Sequence, residues 1–182
     1  IEIQTMHGTP LKTLGLDNPQ EVPTEKHKKS LIQRCSRWDF LTVPSDYVAS
    51  IAKRAYQFNK VVLKTGYPRN DKLFQKNNKD YINSVKTKLN LPSDKKIILY
   101  APTWRIKGKY NLQLDLDIMK KQLKDEYILL IRLHHFMTKG FSLEEHKDFA
   151  YDISWYDDIS DLYLISDILI TDYSSVMFDY AL

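Results

Sequence analysis

Strand, loop and helix patterns alternate along these 182 residues, which predicts an α/β fold with mostly parallel sheets. Three observations carry that prediction. Short apolar runs rich in β-branched residues, Lys96–Tyr100, Tyr127–Ile131 and Ile168–Ile170, read as buried strands. Stretches with apolar residues three and four positions apart separate them, as amphipathic helices do. Polar loops leave the carboxyl end of each run, which is where open α/β sheets bind their ligands.

Taken in order, Ile1–Thr5 alternates as a strand does and runs into a break at Gly8 and Pro10, so His7 stands where the strand ends. Thr24 and Glu25 open a helix through about Arg34. Its Lys26-His27-Lys28-Lys29 run suits a solvated face, or contact with an anionic polymer or lipid headgroups. Cys35 stands with Leu31 and Trp38 at i, i+4, i+7 spacing, a core pattern, and as the single cysteine it excludes an internal disulfide. Phe40–Val43 is a strand ending at Pro44. Ser45 caps a helix carrying Val48, Ile51, Ala52 and Ala55 on one face. Lys60–Lys64 is a strand that runs into the rigid loop Thr65–Asp71. Asn78–Leu89 is a helix, and Leu91-Pro92-Ser93 is a turn after which a second domain begins. The strand Lys96–Tyr100 leads into Ala101-Pro102-Thr103-Trp104-Arg105. A helix marked by Leu116, Met119 and Leu123 precedes Tyr127–Ile131, which delivers Arg132-Leu133-His134-His135. Phe149–Tyr151 is a further short strand, and Asp158–Asp161 starts a helix that buries Leu162 and Ile165. After Ile168–Ile170, Thr171-Asp172-Tyr173 turns the chain into Ser174, Ser175 and a helical segment.

The chemistry-bearing residues share one location in this scheme. His7, Arg69, Thr103, Arg132, His134, Ser174 and Ser175 all follow carboxyl ends of predicted strands. Serines at a helix start offer backbone N–H groups and hydroxyls at the positive end of the helix dipole, which suits a phosphate; Ser174 is equally readable as a plain helix cap. His7 fits a general base or a loop histidine bonded to a carbonyl. Arg69 fits a phosphate ligand or a partner of Asp71.

Composition narrows the choice. Lys+Arg 27 against Asp+Glu 23 gives a mild +4, spread over helix faces, which argues against a nucleic-acid-binding protein. With five glycines there is no Walker or dinucleotide fingerprint, and no G-x-S-x-G elbow marks a hydrolase. No cofactor is expected and no metal cluster stands out; Asp115-x-Asp117 is better explained as first-turn helix charge. Residue 1 is not Met and Leu182 falls inside an apparent helix, so the sequence reads as a piece of a longer protein, incomplete at both ends.

Five motifs together resemble the CDP-glycerol glycerophosphotransferases, the teichoic acid primases and polymerases of Gram-positive bacteria. They are His7-Gly-Thr-Pro-Leu-Lys12, Thr65-Gly-Tyr-Pro-Arg-Asn-Asp71, Tyr100-Ala-Pro-Thr-Trp-Arg105, Arg132-Leu-His134, and Thr171-Asp-Tyr-Ser-Ser175 with Asp179. The resemblance implies a GT-B-like architecture, two Rossmann-like lobes facing a cleft. Residues 1–90 would end the acceptor-side lobe and its connection; residues 91–182 would form the nucleotide-donor lobe. It implies transfer of glycerol phosphate from CDP-glycerol to a lipid-linked acceptor, at the cytoplasmic face of the membrane, with release of CMP. It also implies roles. His7 would be the base and His134 the second catalytic histidine. Gly8, Thr9, Pro10, Leu11, Arg69, Thr103, Trp104, Arg132, Leu133, Ser174, Ser175 and Asp179 would contact substrate. A ribitol- or other polyol-phosphate transferase, and a non-catalytic nucleotide- or polymer-binding module, are the competing expectations.

Overall fold

The computed structural model describes residues 1–103, 112–134 and 142–182. The chain forms two compact units, Ile1–Asp71 and Lys72–Leu182. The division expected at residue 90 therefore lies inside the second unit.

The first unit holds a three-stranded parallel sheet in the order β1 (Ile3–Gln4), β2 (Phe40–Thr42), β3 (Val61–Leu63). The helices α1 (Glu25–Cys35) and α2 (Asp46–Ala55) supply the crossovers. Each starts where a hydroxyl meets an orphan amide. Thr24 accepts from the His27 N–H and Ser45 from the Val48 N–H, both at 3.3 Å. The spacing of Leu31, Cys35 and Trp38 places all three in a core with Leu41, Val43, Val48, Ala52 and Phe58. Trp38 lies edge-on to Tyr56 at 5.5 Å between ring centroids. The strand expected over Ile1–Thr5 pairs only at Ile3–Gln4, because Met6 turns the chain with a φ of 56°.

The second unit is built on a four-stranded parallel sheet in the order β6 (Ala150–Asp152), β5 (Tyr127–Ile131), β4 (Lys96–Tyr100), β7 (Ile168–Ile170). Alternate residues of the two central strands point to opposite faces. Ile97, Leu99, Ile128 and Leu130 pack on one side with Leu162 and Ile165 of α6 (Ile159–Ile165). Ile98, Tyr100, Leu129 and Ile131 pack on the other with Phe149, Leu133, and Leu116, Met119 and Leu123 of α5 (Leu116–Leu123). Asp115 caps α5 by accepting from the Ile118 N–H at 3.0 Å, so its carboxylate serves the helix start. The helix α4 (Lys79–Lys88) packs against α6, which explains why the stretch before residue 91 belongs to this unit. Short helices α3 (Asp71–Gln75) and α7 (Val176–Tyr180) complete the described elements.

A charged cluster ties these helices together. The Lys72 Nζ lies 2.6 Å from both Asp158 Oδ2 and Asp161 Oδ1. Asp161, 5% exposed, also accepts from the phenols of Tyr81 (2.8 Å) and Tyr156 (2.7 Å). Burial alone would raise both carboxyls, but Lys72 and the donated hydrogen bonds hold them below the usual aspartate range. Burial works against the Lys72 charge too, and the two carboxylates and Tyr81 more than offset it, so its pKa rises.

Because the aspartate pKa values lie below their unfolded values, the stability they contribute is full above the unfolded pKa. It is lost as pH falls through the folded one. Lys72→Met is expected to destabilise the second unit by about 2–3 kcal/mol at neutral pH, below the cost of breaking a fully buried pair. The discount follows from the partial exposure of Lys72 (28%) and Asp158 (43%). The difference from wild type should shrink below roughly pH 4, as the carboxylates protonate. Urea unfolding at neutral and acidic pH measures it, and a pH-independent difference would refute the assignment.

Candidate active site

Strand register decides what meets at the carboxyl edge of the second sheet. Asp152, Ile131, Tyr100 and Ile170 are paired across β6, β5, β4 and β7, so four strands end in line. The segments that follow them leave from one edge. The chain order runs outward from β4 to β5 and β6, then returns to place β7 on the other flank of β4. The reversal puts the loops after β4 and β7 at the switch point, where such sheets bind ligands.

Those two loops are clamped together. Asp172 Oδ1 accepts from the Thr103 N–H at 2.7 Å and from its hydroxyl at 2.5 Å. The Thr171 hydroxyl donates to the Ala101 carbonyl at 2.7 Å, and the Ala101 N–H donates to the Ile170 carbonyl at 3.0 Å. Thr103, expected to contact substrate, is held at this edge by Asp172. By its sequence Asp172 is a turn residue within the fifth motif, with no role assigned to its side chain. An acid directly behind a buried strand was the available signal.

On the other side of β4, the Arg132 N–H donates to the Tyr100 carbonyl at 2.9 Å. Its guanidinium is half-buried and grips main chain: Nη1 donates to the Tyr156 carbonyl and Nη2 to the Asp157 carbonyl at 3.4 Å. Burial lowers its pKa, partly countered by Asp157 and Asp158. Leu133 is a core residue, 2% exposed among Ile98, Leu129 and Phe149, and its N–H donates to Ser154 Oγ at 2.9 Å. Its side chain packs and does not face a ligand. His134 is exposed at the same edge. Trp104, Arg105 and His135 lie outside the described residues.

Beyond β7, Ser174 and Ser175 lead into α7. The residue at the cap position is Ser175, with no side-chain cap bond, and it is Ser174 Oγ that accepts, from the Val176 N–H at 3.3 Å. The plain reading of Ser174 as a cap therefore holds only in this shifted form. Asp179 follows one turn later and is buried, 7% exposed. With β4 between them, the loops bearing His134 and Ser174 leave the sheet about two strand spacings apart, roughly 10 Å. They belong to one edge of the molecule.

The remaining expected residues lie in the first unit. His7 is exposed, Gly8, Thr9 and Pro10 are half-buried, and Leu11 is exposed. His7 lines an open cavity of ≈ 400 Å³ with Gln4, Met6, Arg34, Arg37 and Trp38 among its walls. Met6 holds a left-handed φ, which for a side chain of this size stores strain next to the histidine. Its N–H is satisfied by Gln4 Oε1 at 2.9 Å. No sequence pattern announces that conformation. Arg69 stacks over the Tyr67 ring at 4.6 Å, in the loop that Gly66 enters with a φ of 76°.

Removal of the clamp should be measurable. Asp172→Ala is expected to destabilise the second unit by about 2–3 kcal/mol, since two donors on Thr103 lose a charged acceptor. Thr103→Val, which deletes only the hydroxyl bond, should cost less. Urea unfolding of both variants tests the order; equal losses would contradict it.

Comparison with known proteins identifies the family. The family model described as CDP-Glycerol:Poly(glycerophosphate) glycerophosphotransferase matches residues 1–182. A teichoic acid poly(glycerol phosphate) polymerase of Bacillus subtilis (strain 168) is 48% identical over 98% of this chain and 26% of its own length. A teichoic acid poly(ribitol-phosphate) polymerase of Bacillus spizizenii (strain ATCC 23059 / NRRL B-14472 / W23) is more distant. It is 41% identical over 66% of this chain and 21% of its own length. Among solved structures, the wall teichoic acid polymerase TagF, as a histidine-to-asparagine variant soaked with CDPG, superposes with a TM-score of 0.89. It is 45% identical over 98% of this chain and 46% of that chain. The chain thus spans about a fifth to a half of these proteins, and shares their GT-B-like α/β class. Matched from its first residue to its last, the chain belongs to the CDP-glycerol:poly(glycerophosphate) glycerophosphotransferase family.

Proposed function

We propose that this chain is the catalytic segment of a transferase that moves glycerol phosphate from CDP-glycerol onto a lipid-linked glycerol-phosphate acceptor in wall teichoic acid synthesis. The carrying observation is the in-register sheet edge of the second unit, where Thr103, Arg132, His134 and the Ser174–Ser175 pair follow adjacent strands. The family match and the CDPG soaked into the TagF variant support the donor. Glycerol is favoured over ribitol because the glycerol-phosphate polymerase matches more of the chain at higher identity.

In this reading the acceptor hydroxyl attacks the β-phosphorus of CDP-glycerol. A new P–O bond forms, the pyrophosphate P–O bond breaks, and CMP leaves with the electron pair. His7 takes the hydroxyl proton. Arg132, His134, Arg69 and Thr103 hold the phosphates, with the Ser174 and Ser175 hydroxyls and the adjoining amides. Trp104 and Asp179 join the donor contacts, and Gly8–Leu11 and the main chain of Leu133 shape the surroundings. Phosphoryl transfer is chiefly positioning and charge stabilisation, which these residue types supply. His7 and its loop serve the acceptor, and the second unit serves the donor. The enzyme works at the cytoplasmic membrane surface as a peripheral protein; among the described residues no helix is long and apolar enough to cross a membrane.

Two outcomes test the assignment in the full-length protein. His7→Ala should lower transfer by about 10²–10⁴-fold while CDP-glycerol binding survives, read as CMP release and calorimetric affinity. Near-normal turnover would return His7 to an ordinary loop residue. The double variant Ser174→Ala, Ser175→Ala should bind CDP-glycerol about tenfold or more weakly, by loss of hydroxyl and cap contacts. Unchanged affinity would leave those serines as helix-start residues alone.

A further inference from the structure

The loop before α6 is held from two directions. From the sheet side, the Arg132 guanidinium grips the carbonyls of Tyr156 and Asp157. From the helix side, the Tyr156 phenol, itself 5% exposed, donates to Asp161 Oδ2 at 2.7 Å. Asp161 is fixed in turn by Tyr81 and Lys72, and the Lys88 Nζ lies 4.9 Å from the centre of the Tyr156 ring. Tyr156 therefore has one end bonded to a buried carboxylate and the other end, its carbonyl, bonded to Arg132. Burial pushes its phenol up to about 12, with Asp161 adding to the rise, so the hydroxyl stays a donor. A guanidinium carries five donors. It can be anchored to main chain through some of them and still present N–H groups to an anion.

We infer that Asp161 is a positioning residue for Arg132, acting through Tyr156, and so sets the orientation of the cationic group at the donor edge. The inference rests on the reading of Arg132 as a donor-phosphate ligand. The carboxylate fixes the phenol, the phenol fixes the loop, and the loop carbonyls fix the guanidinium plane. That plane decides whether a planar fork meets phosphate oxygens in line. Lys72 keeps Asp161 ionised and stands one step further back.

A double-mutant cycle on CDP-glycerol affinity in the full-length protein separates positioning from mere stability. Arg132→Ala is expected to weaken binding about tenfold or more, and Asp161→Asn about threefold to tenfold, through loss of an oriented charge-assisted contact. In the Arg132→Ala background, Asp161→Asn should have no further effect. Tyr156→Phe, which deletes the phenol link together with its 3.4 Å bond from Lys88 Nζ, should repeat the same non-additivity and keeps the test open if Asp161→Asn does not fold. Multiplicative losses, or wild-type affinity in both Asp161→Asn and Tyr156→Phe, would overturn the inference and leave the donor reading intact. Wild-type affinity in Arg132→Ala alone would overturn the donor reading of that arginine, and the inference with it.

Discussion

The donor edge of the second unit depends on the parallel pairing of β4 with β5 on one flank and β7 on the other. The register aligns Ile131, Tyr100 and Ile170, so the chain leaves three adjacent strands at one level. Loops separated by about seventy residues of sequence then become neighbours, and a single carboxylate, Asp172, can bond two donors of Thr103. A one-residue slip would reverse every side chain of β4. Ile97, Leu99 and Ile98 would exchange faces, so the two core layers that fix the register also fix the site.

The charged cluster around Asp161 illustrates how a polar interior is tolerated. Two aspartates, a lysine and two tyrosines cost desolvation energy that packed apolar residues would not. The cost is offset because the interior acid has partners on both oxygens: Lys72 and Tyr81 on one, Tyr156 on the other. Such a cluster specifies geometry better than it stabilises. It joins α3, α4, α6 and the loop beneath Arg132, and it lies next to the edge where orientation matters most.

In the first unit the histidine is presented by a different device. β1 is two residues long, and the left-handed Met6 ends it one residue before His7. Strain of this kind persists only where the surroundings impose it. Met6 packs against the core containing Trp38, which supplies that constraint. Arg34, Arg37 and Glu2 share the cavity with His7, so charges of both signs line the setting of the proposed base.

The α/β class, the parallel strands, the helix starts at Thr24 and Ser45, and the carboxyl-end location of the site residues are all legible in the order of residues along the chain. Periodicity and cap chemistry are local, and local patterns are written in neighbouring residues. The family was legible for the same reason, since its five motifs are short and contiguous. Tertiary structure alone decided that the compact unit begins at Lys72, because α4 is assigned by the helix it packs on. It alone turned Leu133 into core, engaged the Arg132 fork on main-chain carbonyls, and set Ser174 one residue before the cap position, bonded to the Val176 N–H. It also paired Asp172 with Thr103 and Tyr156 with Asp161. Those assignments depend on which distant groups reach within hydrogen-bonding distance, and only strand register and packing bring them there.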